Sequence, residues 1–403
     1  MSRRPSVAVV GGGAAGYFLA VSLGEMCRNA EITILEGGSR VLRKVRVSGG
    51  GRCNVTNTFE NVTDLRHVYP RGHRLMKKLF NEFGPRDAFE WFERHGVQLT
   101  VQSDGCVFPV SQQSAEIIDC LESYAHRLGV KVVTGRAIRH LSELADFDFV
   151  AIVTGGGTNE TWLRTLAEEA GVNIVKPVPS LFSLSINNEA LRSLMGCVVE
   201  NASVRLSGTS FSASGPLLVT HWGLSGPAIL RLSSYAAPVL AEQDYHTSLS
   251  VAWLGDSNEE QVAEMLKNLR NNNPDRQVQN TPPPALTKRL WTFLAERAQT
   301  GISSLHWREL SPKTMRRLVN TLCNDIYNTA GRAPFKDEFV TCGGVSLQSL
   351  HTATLSSKQA PHIFFAGEVL DVDGVTGGFN FQAAWTTAHV VANAIAKNIT
   401  EAE

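Results

Sequence analysis

Residues 6–36 read SVAVVGGGAAGYFLAVSLGEMCRNAEITILE. The opening run, 6–10, is rich in valine and uncharged, as a strand buried on both faces must be. Residues 11–16, Gly-Gly-Gly-Ala-Ala-Gly, fit G-x-G-x-x-G, and 14–26 carry helical apolar spacing. A second buried-strand pattern, 31–35, ends at Glu36. Strand, glycine loop, helix, strand and acid form the βαβ beginning of a doubly wound sheet. Gly11 permits the tight turn, and Gly13 lets the backbone approach a pyrophosphate without a Cβ in the way. Gly16 lets the helix pack closely on the strand, and the helix N-terminus at Ala14 offers N–H donors to phosphate. Glu36 lies twenty residues beyond Gly16, the spacing at which a carboxylate reaches the adenosine ribose hydroxyls. An acid there repels a 2′-phosphate, so FAD or NAD is expected and NADP is not.

Segments further out separate those two. Ser48-Gly49-Gly50-Gly51-Arg52-Cys53-Asn54 is a second glycine loop soon after the acid, where an NAD dehydrogenase needs none and a larger cofactor needs more backbone cradle. Far downstream, 362–366 reads as a buried strand leading into Gly367-Glu368, followed by Asp371, Asp373, Gly374, Gly377 and Gly378. Such a loop can set backbone N–H groups and the N-terminus of a helix from Phe379 against a flavin ring. The helix dipole there would stabilise the negative charge of the reduced ring. FAD is the expected cofactor.

The 403 residues exceed the usual size of one core, and the patterning divides them. The stretch 114–128 reads as helix, and 131–134 and 147–153 as strands, the latter closing on Thr154-Gly155-Gly156-Gly157. After about Lys176 the character changes: Pro177 and Pro179 punctuate the chain, and 203–212 alternates polar and apolar residues like a half-buried strand. From 259 to about 324 the pattern is helical, broken by Asn271-Asn272-Asn273-Pro274 and Pro282-Pro283-Pro284. The expected architecture is α/β: a Rossmann-like FAD-binding domain from 1–178 and 340–403, split by an insertion at 179–339. The insertion reads as a β-barrel over about 179–256 and a helical subdomain over about 257–330.

Thirty-eight basic and thirty-eight acidic residues cancel, which removes the compositional argument for a nucleic-acid or anionic-membrane partner. Lys288, Arg289, Arg297, Arg308, Lys313, Arg316 and Arg317 form a basic helical stretch that reads as a solvated face. The seven cysteines include no C-x-x-C pair, so neither a redox disulfide nor zinc-ligand spacing is offered, and no disulfides or metal are expected. The N-terminal apolar run is too short for a signal peptide or a membrane span, and 381–399 reads as a packed helix. A cytoplasmic location is expected; the sequence sets no oligomeric state.

The chain resembles the bacterial aminoacetone-oxidase-like flavoproteins, a family in which some members are assigned as reductases of unsaturated bile-acid intermediates. The likeness rests on the 10–16 loop, on Val47-Ser48-Gly49-Gly50-Gly51-Arg52-Cys53-Asn54-Val55-Thr56-Asn57, and on Val107-Phe108-Pro109-Val110-Ser111. It continues through Thr220-His221-Trp222-Gly223-Leu224-Ser225-Gly226-Pro227 and the long stretch 365–382. It implies a split FAD domain with an inserted barrel and helical subdomain. It also implies FAD contacts from Gly11, Gly13, Ala14, Gly16, Glu36, Gly50 and Arg52, from backbone near Ala137, Gly155 and Gly156, and from Gly367, Glu368, Gly378 and Asn380. Two departures stand out: Thr158-Asn159-Glu160-Thr161-Trp162 replaces a longer glycine-rich loop, and Cys106 stands where an arginine is usual.

His221 is the candidate catalytic group, as substrate-side acid or base, against a purely packing role for His221 and Trp222. Glu368 and Asp371 read as ribityl or structural contacts, with proton donation as the alternative. Cys53 beside Arg52 reads either as an activated thiol or as a structural residue; Trp385 reads as core. The expected activity is that of an FAD-dependent oxidoreductase, passing a hydride between flavin N5 and a small organic substrate, as oxidase or reductase. The second glycine run, 154–157, lacks a full dinucleotide motif, so any NAD(P)H would visit the flavin transiently. A flavin-dependent RNA-modifying enzyme and a non-enzymatic flavin redox sensor are the alternatives.

Overall fold

A computed structural model describes residues 3–157, 160–333 and 340–402. The chain forms two compact units, Met1–Val178 with Val340–Glu403, and Pro179–Phe339.

The first unit is built on a five-stranded parallel sheet. Its strand order is Ile363–Phe365, Phe149–Ile152, Ser6–Val10, Glu31–Glu36, Lys131–Thr134. The first strand of the chain is central, with Ala8 opposite Thr33 on one side and Val150 on the other. That position explains its uncharged sequence, since Val7, Ala8 and Val9 are fully buried. Ala14–Met26 is buried almost all round, from Ala15 to Gly24. It packs on the C-terminal helix Phe379–Ala402. Phe18 lies in an aromatic nest of Phe83, Trp91, Phe92 and Trp385, with ring centroids 4.5–6.2 Å away. The Trp385 indole N–H donates to Val55 O at 2.8 Å, so its polar end is satisfied in the core.

The second unit holds a closed six-stranded antiparallel barrel. Its order is Val198–Leu206, Ser212–Val219, Gly223–Ser225, Leu184–Ile186, Asp325–Arg332, Ser248–Ala252. The expected single strand at 203–212 is two strands joined by a turn, where Gly208 adopts φ +73°. Their side-chain alternation runs through the turn and hides it.

The helices Glu259–Asn272, Lys288–Ala298 and Pro312–Cys323 are inserted between two barrel strands. The expected helical extent to about 330 is too long, because Asp325–Arg332 is the strand that closes the barrel. Its residues alternate between buried Asp325, Tyr327 and Thr329 and exposed Ile326 and Asn328, the period of a sheet and not of a helix.

Asp325, 4% exposed, joins barrel to helices. It accepts from Trp253 Nε1 at 3.0 Å, from the Tyr327 hydroxyl and from Arg297 Nε. Burial pushes its carboxyl up, and those three donors oppose the shift. Removing the carboxylate would strand three donors at once, and unpaired buried partners are costly. Asp325→Ala should lower the stability of this unit by about 3 kcal/mol, followed by tryptophan fluorescence in urea. A loss under about 1 kcal/mol would mean that the network is not a structural tie.

Candidate functional site

The glycine loop separates two uses of a missing side chain. A Cβ on Gly16 would lie 2.0 Å from Gly11 O, and one on Gly11 would lie 2.5 Å from Val153 O. Both glycines are needed for the chain to pack on itself. Around Gly13 a Cβ would meet nothing within 4 Å. The space there is open, at the N-cap of a helix with no side-chain cap and no acid in its first turn. Free N–H groups, a positive helix end and an open approach are what a pyrophosphate needs.

Glu36 closes one side of this cradle. Its Oε2 accepts from Gly12 N at 2.8 Å and its Oε1 from Gly38 N at 2.7 Å. A carboxylate has about four acceptor positions, so this geometry fixes its plane and leaves capacity for two ribose hydroxyls. Ala137 lies alongside, since a Cβ on Gly37 would sit 3.4 Å from the Ala137 Cβ.

The second loop interrupts the helix Arg43–Gly51: Gly49, Gly50 and Gly51 take φ of +56°, +70° and +87°. Three successive left-handed residues favour glycine, and around Gly50 and Gly51 there is again open space. Arg52 holds this loop. Its Nε donates to Gly49 O at 3.0 Å, and its guanidinium stacks 4.3 Å from the Phe108 ring centroid. With its amide oriented to satisfy its neighbours, Asn54 accepts from Gly378 N at 3.0 Å and donates to Thr56 O at 2.8 Å. Asn57 Nδ2 donates to Gly377 O at 3.1 Å. Segment 54–57 therefore clamps the C-terminal glycine turn.

That turn has no room for side chains. A Cβ on Gly378 would lie 2.3 Å from Thr56 O, and one on Gly367 would lie 2.8 Å from the Ala15 Cβ. Gly156 packs against Thr341 and Glu368, while Gly155 takes φ +75°. Asn380 closes its side-chain amide on the loop, accepting from Gly374 N and donating to Gly374 O, both at 2.8 Å. What Asn380 offers a cofactor is therefore its backbone N–H in the first turn of the helix. Glu368 accepts from Thr341 N at 3.0 Å and pairs with Lys44 at 2.6 Å. Lys44 and Thr341 carry no local sequence signal for this; the pairing of residues 44 and 368 exists only in the fold.

Among the described residues of this unit three buried side-chain oxygens, Ser22 Oγ, Thr154 Oγ1 and Asp371 Oδ1, have no hydrogen-bond partner. Thr154 adjoins Gly11, whose Cβ would lie 2.9 Å from Thr154 Cα. An orphaned hydroxyl beside an open glycine cradle fits a bound polar group. Burial and the charge of Asp373 push the Asp371 carboxyl up, against the pull of Arg71.

The thiol readings resolve plainly. Cys53 is fully buried, and burial pushes its thiol up to about 12, so it is a structural residue and not an activated nucleophile. Cys106 is likewise buried and pushed up to about 11. Among the described residues no disulfide is formed. His221 belongs to the other unit and stands exposed in the turn closed by Thr220 N to Gly223 O at 2.8 Å. Its ring meets Trp222 edge-on at 4.0 Å. Thr158 and Asn159 lie outside the described residues. Among the described residues, no group of three acids, histidines or cysteines could hold a metal, and no helix is long and apolar enough to cross a membrane.

The family model described as "HI0933-like protein Rossmann domain" matches residues 5–394. The ribosomal RNA dihydrouridine synthase of Escherichia coli K12 is 28% identical, over 94% of this chain and 95% of that protein. The 3-dehydro-bile acid delta(4,6)-reductase of Clostridium scindens is 25% identical, over 97% and 99%. In fold, the chain matches the solved 3-ketosteroid delta1-dehydrogenase of Sterolibacterium denitrificans with a TM-score of 0.52 at 11% identity. That match covers 97% of this chain and 99% of that one. FAD is the cofactor of this Rossmann domain.

Gly13 and Gly16 should respond differently to the same methyl group. Gly13→Ala should melt within about 3 °C of wild type without cofactor, because its Cβ meets no protein atom, yet bind FAD at least about tenfold more weakly. Gly16→Ala should lose several degrees with or without FAD. Thermal melts and flavin-fluorescence titration separate the two; equal FAD affinity in Gly13→Ala and wild type would place the pyrophosphate elsewhere.

Proposed function

The chain belongs to the HI0933-like Rossmann family of FAD-dependent oxidoreductases, and from that premise we propose that it reduces a carbon–carbon double bond conjugated with a carbonyl group. The carrying observation is that two full-length relatives are named for different substrates and one bond change. Dihydrouridine is uridine saturated at the double bond conjugated with a ring carbonyl, and a delta(4,6)-reductase acting on a 3-dehydro bile acid saturates bonds conjugated with a ketone. Once bound and reduced, FAD would supply the hydride for such a reaction.

The residues of the chain hold, orient and screen. Gly13 and the amides from Ala14 onward take the pyrophosphate, and Glu36 takes the adenosine ribose. Glu368, Gly155 and Gly156 would hold the middle of the cofactor. The N-terminus of Phe379–Ala402, clamped by Asn54 and Asn57, would favour negative charge on the ring. NAD(P)H is the proposed transient donor, and His221 a proposed substrate-side residue on its exposed turn.

A second reading takes uridine within RNA as the conjugated substrate. The name of the Escherichia coli relative favours it, as do exposed Lys313, Arg316 and Arg317 on one helix, Pro312–Cys323. Other members of the basic stretch are neutralised: Arg297 pairs with Asp325 and Arg308 with Asp275.

The deciding experiment mixes anaerobically reduced holoprotein separately with a 3-oxo-Δ4 steroid, unmodified ribosomal RNA and oxygen. The expected result is rapid return of flavin absorbance with one conjugated acceptor, whose product has gained two hydrogens, and slow return with oxygen. Rapid reoxidation by oxygen with both acceptors inert would contradict the proposal.

A further inference from the structure

We propose that Asp371 is the proton-carrying residue of this site and that Arg71 and Asp373 position it; this rests on reading the site as one that reduces a conjugated double bond. Asp371 and Asp373 stand two residues apart in the loop between the turn Gly367–Val369 and the helix Phe379–Ala402. Their surroundings differ. Asp373 is fully buried, and Arg71 engages both of its oxygens, Nε on Oδ1 and Nη2 on Oδ2. This fork-like pairing engages both oxygens of Asp373. Asp371 has no such partner: its Oδ1 is buried and makes no hydrogen bond. Its backbone is nonetheless fixed, with its N–H donating to Val345 O at 3.0 Å.

Three charged or titratable groups face Asp371, from three segments. Asp373, in its own loop, disfavours a second negative charge. Arg71, from the segment before the helix His73–Leu79, acts the other way. Cys342, on the strand Val340–Val345, is itself pushed up to about 12 by burial and stays a neutral thiol. Burial is the largest influence on Asp371 and acts with Asp373, so the carboxyl retains its proton above the ordinary carboxylate range. A pair of carboxyls driven apart in this way is how acid and base roles become separated at one site. The loop that carries them runs directly into the clamp formed by Asn380 on Gly374 and Asn54 on Gly378.

In the step assigned to it, the O–H bond of Asp371 breaks. A C–H bond forms at the carbon next to the substrate carbonyl, while the next carbon takes up the hydride that a dihydroflavin supplies. The substrate gains two electrons and two hydrogens, the dihydroflavin gives up its hydride to the substrate and its remaining proton to solvent, and the Asp371 carboxylate regains its proton from solvent.

Asp371→Asn should fold. A carboxyl whose folded-state pKa is raised loses stability as pH climbs from its unfolded value, about 4, through its folded value, and asparagine removes that loss. The variant should therefore match or exceed wild type in thermal melts at pH 8. Two readouts test the proposal on FAD-loaded protein. Infrared spectra recorded across a pH series should show a carboxyl that keeps its proton above the ordinary carboxylate range in wild type, a band that Asp371→Asn lacks. Reduction of the conjugated acceptor should fall at least about a hundredfold in Asp371→Asn, with FAD retention and dithionite reduction unchanged. Wild-type activity should also decline as pH rises through the Asp371 pKa, a fall absent from the residual activity of the variant. Absence of the band, or a variant with the wild-type rate and pH profile, would overturn the role of Asp371 and leave the reaction intact. A wild-type protein with the band but no turnover of any conjugated acceptor would instead overturn the reaction, and proton delivery with it.

Discussion

The backbone contact between the glycine helix and the end of the first strand is the constraint on which the rest depends. A side chain at Gly16 would have to occupy the position of Gly11 O, 2.0 Å away. Because none is there, Ala14–Met26 can sit low on the sheet with its N-terminus at the tip of the central strand. An open, uncapped helix end at Gly13, the proposed pyrophosphate cradle, is the consequence. The same low seat leaves the helix buried along its length, so its partner must be apolar; that partner is the C-terminal helix, with Trp385 against Phe18 at 5.2 Å.

One end of the chain thus provides the phosphate site and the other packs on its back. The last strand of the sheet, Ile363–Phe365, then delivers Gly367 and Glu368 beside the helix that Gly13 opens. Segment 54–57 locks the following turn in place through Asn54 and Asn57. A cofactor held this way is gripped by segments more than three hundred residues apart in sequence, and its binding reports on the assembly of the whole first unit. The buried Arg71–Asp373 pair belongs to the same closure, joining positions 302 residues apart. Buried ion pairs add little net stability, but breaking one is costly, so this pair makes the loop geometry specific.

The parts of the fold with a local period were legible in the sequence. The 6–36 unit was, since strand, glycine turn, helix and acid each have their own residue chemistry. The antiparallel barrel was legible as alternation, but its boundaries were not. The 203–212 alternation runs across a turn at Gly208, and Asp325–Arg332 follows a helix so closely that its period-two pattern is overrun. In the proposed site, the glycines and Glu36 stand out in the sequence because each answers to a local steric or electrostatic need. Lys44, Thr341 and Arg71 do not. Their partners are Glu368 and Asp373, and pairings across 27, 302 or 324 residues leave no trace in spacing. Cys53 misleads in the other direction: beside Arg52 in sequence it looks activated, whereas its own burial decides its chemistry.

The most direct measurement is the stoichiometry and selectivity of dinucleotide binding by the intact chain. Calorimetric titration of cofactor-stripped protein with FAD, NAD and ADP isolates the cradle from any question of substrate. One FAD bound per chain, far more tightly than NAD or ADP, is the result required by a site built from both the 11–16 and the 367–380 segments. Equal affinity for FAD and ADP would show that only the adenosine half is held, and that the C-terminal loop takes no part.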